Sequence, residues 1–139
     1  MDCGIAEQHL LELEEISIAE ERLEWLVTRA PINSTLPHQF RIDDFRIREC
    51  LTPLWIRFQV LEELVRADCY AESKVVNSIV SLICDCCSGS SRKDVALRLD
   101  RINRALGLEG FLTPGRRVAI GAVFSKMKRE ICSELDASY

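Results

Sequence analysis

The chain has 139 residues, of which 47% are hydrophobic and 29% charged, and its formal net charge at pH 7 is −4. This length and composition predict one globular domain that spans residues 1–139. A net negative chain lacks the basic field that nucleic-acid binding needs, and no apolar run approaches the roughly 18 residues of a membrane-spanning helix. Neither a nucleic acid nor a membrane is therefore expected as a partner.

The seven cysteines indicate a reducing compartment. Their odd number argues against a disulfide framework, and the first 15 residues carry five acidic side chains where a secretory signal would be basic. We therefore expect free thiols and a cytoplasmic location.

Helix is predicted first, from Glu7 to Arg29, where leucine and isoleucine recur three and four residues apart. This segment forms either one continuous helix or two. Two are possible because Ser17 begins a capping-box pattern, which predicts that a helix starts near Ile18. The helix must end before Pro31, whose ring disfavours helix at the preceding residue. An irregular connection follows, as far as Phe40.

Two strand-like stretches come next. Between Leu54 and Leu61 every second residue, starting with Leu54, is apolar, which predicts a strand with one face on the core. The core-facing set is Leu54, Ile56, Phe58 and Val60. Glu63 to Asp68 would return antiparallel, although Glu62-Glu63 is a poor tight-turn sequence. The alternative is a helix from Trp55 to Val65.

Three further helices are predicted. The first covers Ser73 to Cys87, the second runs from a Ser91 cap to about Leu106 and stops at Gly107, and the third runs from Thr113 to about Leu135. The inward positions of the last helix are Val118, Ile120, Val123, Phe124, Met127 and Ile131. These elements predict an α+β domain, in which helices pack on a small antiparallel sheet of about three strands.

Cys50 differs from the other cysteines in its setting. It follows the charged stretch Arg46-Ile47-Arg48-Glu49 and precedes the strand that begins at Leu54. A thiol at a loop mouth beside a rigid strand is within reach of a partner, which suits sulfur chemistry. The alternative is that Cys50 is a small core hydrophobe, as free cysteines commonly are.

Several segments, taken in order, resemble the SufE/CsdE family of sulfur acceptors. Arg46 to Ile56 is similar to the family's Asn-Arg-Ile, Gly-Cys-Gln-Ser and hydrophobic-Trp segment. Glu72 to Val76 is similar to the acidic turn and helix start after its last strand. Leu106 to Leu108 and Phe111 to Arg116 are similar to its Leu-x-Leu and His-Leu-(Ser/Thr)-Pro-Ser-Arg segments. Together they span about Ile18 to Ile131.

The resemblance implies a SufE/IscU-like fold and an accessory role rather than a free-standing enzyme. A PLP-dependent cysteine desulfurase would pass persulfide sulfur to Cys50, and a downstream acceptor or scaffold protein would receive it for iron–sulfur cluster assembly or related sulfur trafficking. The resting Cys50 would lie in a hydrophobic cavity, covered by Leu51 and Leu54, and would swing out on docking. Nothing in the chain is similar to a PLP lysine site, so no cofactor is expected.

The Cys50 loop departs from the family pattern. The replacements are Glu49 for Gly, Leu51 for Gln, Gly115 for Ser and Arg117 for Ser, and Pro53 removes a backbone donor. Cys50 and Arg116 are kept. Loss of Gly before the cysteine removes easy access to positive φ. The alternative function is therefore a transfer-deficient SufE-like module that binds or regulates a desulfurase or another partner.

Charges near Cys50 indicate both reactivity and a partner. The attacking species is the thiolate, so Arg48 and Arg116 would favour it, whereas Glu49 would oppose it. Arg116 and Arg117 begin the last helix, where the macrodipole favours anions, so cations there indicate either pairing with a partner's acidic groups or a solvated surface. The predicted partner-binding residues are Arg48, Glu72, Arg116 and Arg117.

The sequence Cys84-Asp85-Cys86-Cys87 is the remaining candidate site. Two of its thiols lie one helical turn apart, but no second ligand pair has a matching spacing, so no metal site is expected. Thiols that fill a helix–helix seam are the favoured interpretation, and a thiol redox sensor is a third functional alternative. Surface positions are predicted for His38, Asp43 and Asp44, and a core position for Trp55.

Overall fold

The computed structural model describes residues 2–29, 31, 35–106 and 113–132. These residues form five helices and a two-stranded antiparallel sheet, which confirms the predicted α+β class. The elements are α1 (Asp2–Glu15), α2 (Ala19–Thr28), β1 (Leu54–Leu61), β2 (Leu64–Ala71), α3 (Lys74–Cys87), α4 (Arg92–Leu106) and α5 (Pro114–Met127). One π-helical turn (Lys128–Cys132) continues α5, and two 3₁₀ turns (His38–Phe40 and Asp43–Phe45) precede β1. Within the described ranges, no helix is long and apolar enough to cross a membrane.

β1 and β2 pair antiparallel along their whole length, so the alternative helix from Trp55 to Val65 is wrong. The two-residue turn between them has positive φ at Glu62 (52°) and at Glu63 (68°). Positive φ at both central residues matches the right-handed twist of a tight hairpin. Glycine and asparagine usually occupy such positions, which is why the sequence was a weak guide to this turn.

The described sheet has two strands rather than the expected three or so. Its edges carry single-residue bridges, from Thr35 to Cys69 beside β2 and from Arg46 to Trp55 beside β1. The Leu36 N–H also donates to the Cys69 carbonyl at 2.9 Å. Because the chain between these bridges bends through two 3₁₀ turns, it pairs with each edge over a very short length.

The core face of β1 follows the predicted alternation only in its first half. Leu54 and Ile56 are fully buried, whereas Phe58 is half-buried and Val60 is exposed. The core face of β2 is buried along its whole length, from Val65 beside the turn to Ala71. The predicted core position of Trp55 is wrong: its ring is half-buried on the opposite face, 5.3 Å from the Arg46 guanidinium.

α3 is the central helix and packs against β2 and the other four helices. Its N-cap is Ser73, whose hydroxyl accepts a hydrogen bond from the Val76 N–H at 3.3 Å. Every residue from Ile79 to Cys87 is buried. This half of α3 is enclosed on all sides and needs no polar face, which explains its apolar sequence.

Two helix caps were predicted correctly, and one was not. Ser91 and Thr113 each accept a hydrogen bond from the backbone N–H three residues further on, at 3.1 and 3.3 Å. α2 begins next to the predicted position, but its N-cap residue is Ile18 and no side chain bonds there. The predicted cap by Ser17 is therefore wrong.

α5 buries a stripe of side chains that recur three and four residues apart. Its fully or largely buried members are Ala119, Ile120, Val123, Met127 and, in the π-helical turn, Ile131. Val118 lies off this stripe and is 56% exposed, so its predicted inward position is wrong. The predicted helix ends at Gly107 and near Leu135 lie outside the described residues.

Ion pairs join the helices at two places. Arg29 donates to Asp85 at 3.0 Å in a buried pair between the end of α2 and α3. Arg101 on α4 donates to both Glu7 and Glu14 on α1, with 2.7 Å to a Glu14 oxygen. The first pair lies inside the protein, and the second lies on its surface.

Candidate functional site

Cys50 ends the loop that leads into β1. The Cys50 N–H donates to the Ile47 carbonyl at 3.3 Å, and the Ile47 N–H donates to the Leu54 carbonyl at 2.8 Å. Ile47 is itself buried in the core. These bonds fold the loop back onto the first residue of β1, so the base of the hairpin sets the position of the thiol.

The thiol lies in the wall of an open cleft of about 150 Å³. The cleft is lined by Cys50, Leu51, Thr52, Ser73, Val76, Thr113, Gly115 and Arg116. The fold thereby brings Arg116, at the start of α5, into the same cleft as Cys50. The Cys50 residue is 7% exposed, and its Sγ lies 3.6 Å from the Thr52 hydroxyl oxygen.

The loop accommodates its unusual residues without backbone strain. Among described residues other than glycine, positive φ occurs at Glu62 and Glu63, so Glu49 adopts an ordinary conformation. The Pro53 carbonyl accepts a hydrogen bond from the Glu72 N–H at 3.1 Å, which ties the loop to the end of β2. Loss of the family's glycine therefore does not distort the entry to β1.

Leu51 does not cover the thiol as expected. Its side chain is 91% exposed, whereas Leu54 is fully buried beneath the loop. A Cβ atom at Gly115 would lie 3.5 Å from the Leu51 Cδ1, an ordinary van der Waals distance. Leu51 thus stands over the start of α5 at the rim of the cleft.

Two of the predicted partner-binding residues line clefts, and the other two are exposed. Arg48 and Arg117 are exposed, and Arg116 lines the cleft of Cys50. Glu72 lines a second cleft, of about 280 Å³, and Ser73 lines the first, so consecutive residues face the two clefts. The other residues of the second cleft are His38, Arg41, Trp55 and Tyr70. The predicted surface positions of His38, Asp43 and Asp44 are confirmed.

Sequence reasoning did not find the stacked arginines on the outer face of the hairpin. The Arg41 guanidinium lies 3.6 Å from the Tyr70 ring centroid, and Arg57 lies 4.1 Å from that of Phe40. Arg57 also pairs with the buried Asp68 at 3.1 Å. The sequence does contain a pattern that indicates this arrangement. On β1 and β2, charged and aromatic residues alternate at the positions that point away from the core.

The cysteines of α3 have a different environment. Burial raises the pKa of Cys86 to about 12, and burial likewise raises the pKa values of Cys84 and Cys87. The Cys87 thiol lies 3.5 Å from the Met127 sulfur, and Cys84 shares a hydrogen bond with Cys69. These contacts support the helix-seam interpretation. In the part of the chain that the structure describes, no group of three or more His, Cys, Asp or Glu residues could hold a metal ion.

Comparisons with known proteins give the class of the fold and then the family. The solution structure of a hypothetical protein from Thermus thermophilus matches with a TM-score of 0.68 and 21% sequence identity, over 94% of this chain and 96% of that chain. At this identity the match establishes a shared fold. The family model of SufE, the Fe-S metabolism associated domain, matches residues 7–131. No curated protein matches the chain.

The chain belongs to the SufE family. This confirms the resemblance inferred from the segments around Cys50, Glu72 and Arg116. Family membership implies an accessory role in iron–sulfur metabolism and sulfur transfer, and in general a partnership with a cysteine desulfurase.

Proposed function

We propose that this protein is a cytoplasmic sulfur acceptor that takes persulfide sulfur on Cys50. It docks on a PLP-dependent cysteine desulfurase and passes the sulfur to a downstream acceptor or scaffold for iron–sulfur cluster assembly or related trafficking. One observation carries the proposal. Cys50 and Arg116, which match the family's motifs, come from distant parts of the chain and line one open cleft.

The transfer is a thiol–persulfide exchange. The Cys50 thiolate attacks the outer sulfur of the desulfurase persulfide, and a new S–S bond forms on Cys50. The S–S bond of the desulfurase breaks, and its cysteine leaves as a thiolate. Cys50 then carries one additional sulfur as a persulfide, and no external oxidant or reductant is consumed.

The surroundings of Cys50 supply two parts of this chemistry. The Thr52 hydroxyl, 3.6 Å from Sγ, is placed to donate a hydrogen bond to the thiolate. The Arg116 guanidinium adds positive charge to the same cleft, where it can face the anionic sulfur of the exchange. Because Cys50 is 7% exposed, its side chain must turn outward when the partner docks.

Mass spectrometry of the intact protein tests the proposal. The protein is incubated with cysteine and the cysteine desulfurase of the same organism. We expect an adduct of about 32 Da, one sulfur atom, that peptide mapping assigns to Cys50. Cys132→Ser is the matched control because Cys132 is also 7% exposed, and it should still form the adduct. The proposal fails if Cys50→Ser stimulates cysteine-dependent sulfide release as strongly as the wild type does.

The second candidate is a module that binds the desulfurase but does not transfer sulfur. It is favoured by the exposed carboxylate of Glu49 directly before the thiol, which opposes a second negative charge. In this case the wild-type protein binds the desulfurase and changes its rate, yet no adduct forms on Cys50. The same incubation therefore separates the two functions.

A further inference from the structure

The second cleft, of about 280 Å³, lies on the outer face of the hairpin, and the sulfur exchange does not use it. It is lined by His38, Arg41, Trp55, Tyr70 and Glu72. Its volume is just below the roughly 300–1,000 Å³ of pockets that hold drug-sized ligands, so it suits a small metabolite. Two aromatic rings and several charged or polar groups converge there, as they do in ligand sites.

Trp55 and Tyr70 form an aromatic wall of this cleft. They are direct partners in the register of β1 and β2, and their ring centroids lie 6.3 Å apart with an interplanar angle of 32°. Both residues are half-buried, so part of each ring remains accessible. Because the paired strands hold the two rings, the wall offers a rigid surface to an aromatic or large apolar group of a ligand.

Arg41 is fixed in the cleft with two of its nitrogen atoms unused. Its guanidinium lies 3.6 Å from the Tyr70 ring centroid, and its Nε donates to the Leu36 carbonyl at 3.1 Å. Neither of its NH2 groups hydrogen-bonds to a residue that the structure describes. The planar guanidinium presents N–H groups in the geometry that a carboxylate accepts. Arg41 is therefore a preorganised donor for an anionic group.

Glu72 brings the opposite charge to the same cleft. It directly follows the last residue of β2 and is exposed. Within the described ranges, its carboxylate forms no ion pair with Arg41 or with any other cation. A cation and an anion that line one cleft without pairing with each other leave space for a ligand between them. A ligand that carries both charges would satisfy both side chains.

We propose that this cleft binds a free α-amino acid with an aromatic or large apolar side chain. The ligand carboxylate accepts hydrogen bonds from Arg41, and its ammonium group faces Glu72. Its side chain packs on Trp55 and Tyr70. A ligand with negative charge alone would be repelled by Glu72, and a simple cation by Arg41. The inference goes beyond the proposed function, because no step of the sulfur exchange involves this cleft.

Three matched ligands test the two charges by NMR titration of the protein. L-Phenylalanine carries both charges, 3-phenylpropanoate lacks the ammonium group, and 2-phenylethylamine lacks the carboxylate. L-Phenylalanine should bind with a Kd below about 1 mM and should shift the signal of the Trp55 indole N–H. Each of the other two should bind about tenfold more weakly or worse, because one charged hydrogen-bonding group is lost.

Two results of this titration overturn the proposal. One is the absence of L-phenylalanine binding at about 10 mM. The other is binding of 3-phenylpropanoate or 2-phenylethylamine as tight as that of L-phenylalanine, since the cleft would then select an anion or a cation alone.

Variants assign each charge to its residue. Arg41→Gln should weaken the binding of L-phenylalanine about tenfold or more and should not weaken that of 2-phenylethylamine, which has no carboxylate. Glu72→Gln should likewise weaken the binding of L-phenylalanine and should not weaken that of 3-phenylpropanoate. Arg66→Gln, an exposed position on β2 outside the cleft, is the control and should bind within about twofold of the wild type.

The pairing of variant with ligand separates a binding role from a structural one, because a distorted cleft would lose all three ligands together. Glu72 is exposed, so Glu72→Gln tests the proposal even where Arg41→Gln disturbs the stack on Tyr70. Binding of L-phenylalanine by Glu72→Gln as tight as by the wild type overturns the proposal.

Discussion

The base of the hairpin and the end of α3 place the same chemical group in opposite environments. Cys50 lies in the wall of an open cleft with a hydroxyl and a guanidinium beside it. Cys84, Cys86 and Cys87 lie on the enclosed half of α3, where burial raises their pKa values. Cys50 is itself only 7% exposed. The difference therefore lies in polar neighbours and an open path to the thiol, more than in the exposed area of the residue.

This comparison also separates function from stability. The α3 thiols fill the seam between the sheet and the other helices, next to the buried pair of Arg29 and Asp85. Two backbone hydrogen bonds hold the Cys50 loop at the edge of that core. Substitutions in the Cys50 loop should alter the reactions of the thiol and leave the free energy of unfolding nearly unchanged. Substitutions in the seam should lower the free energy of unfolding and leave the reactions of Cys50 nearly unchanged.

The largest expected difference is in alkylation of the native protein. At pH 8 a thiol with a pKa of about 12 is ionised in on the order of one molecule in 10⁴, and Cys86 is also enclosed. Iodoacetamide should therefore modify Cys50 about 1,000-fold faster than Cys86, as followed by peptide mapping. In urea all sites should react at similar rates. Alkylation of Cys50 and Cys86 at equal rates in the native protein would contradict the proposed difference between their environments.

An intermediate effect is expected from the buried ion pair. Asp85→Asn leaves Arg29 without its carboxylate partner in the interior and should lower the free energy of unfolding by about 3 kcal/mol. Cys50→Ser should lower it by less than about 1 kcal/mol, and the exposed control Asp100→Asn by less than about 0.5 kcal/mol. Urea denaturation measures all three. Stability of Asp85→Asn equal to that of the wild type would contradict a structural role for this seam.

The smallest effect concerns the surface ion pairs between α1 and α4, which Arg101 makes with Glu7 and Glu14. Hydrogen bonding to Arg101, together with its charge, lowers the pKa of Glu14 from the usual 4.5. The folded chain thus holds this carboxylate ionised to lower pH than the unfolded chain does. The stabilisation is complete above about pH 4.5 and is lost as the pH falls through the folded-state pKa. Because both side chains are partly exposed, it should amount to less than about 1 kcal/mol.

Urea denaturation of Glu14→Gln at two pH values measures the stabilisation that the ionised Glu14 carboxylate provides. The variant should be less stable than the wild type at pH 7, this deficit should be smaller at pH 3, and persulfide formation on Cys50 should not change. Glu12→Gln, an exposed neighbour on α1, is the control and should show no such difference. A stability deficit of Glu14→Gln that is as large at pH 3 as at pH 7 would exclude the charge of Glu14 as its cause.

The sequence by itself determined the features that depend on a few neighbouring residues. The caps by Ser91 and Thr113 were predictable because each requires one side-chain oxygen and a backbone N–H three residues away. The α+β class followed from the change of apolar period between β1 and the helices. The segments that carry Cys50 and Arg116 were sufficient to find the family.

Only the tertiary structure decided which of those residues share a site and which face water. Leu51 and Val118 are apolar and were assigned to cover or core, yet the structure leaves both exposed. Trp55 was assigned to the core, yet it lies half-buried on the outer face of the hairpin beside Arg46. The apolar character of a side chain determines how much free energy its burial would gain. Whether the side chain is buried depends on which elements the whole chain brings together.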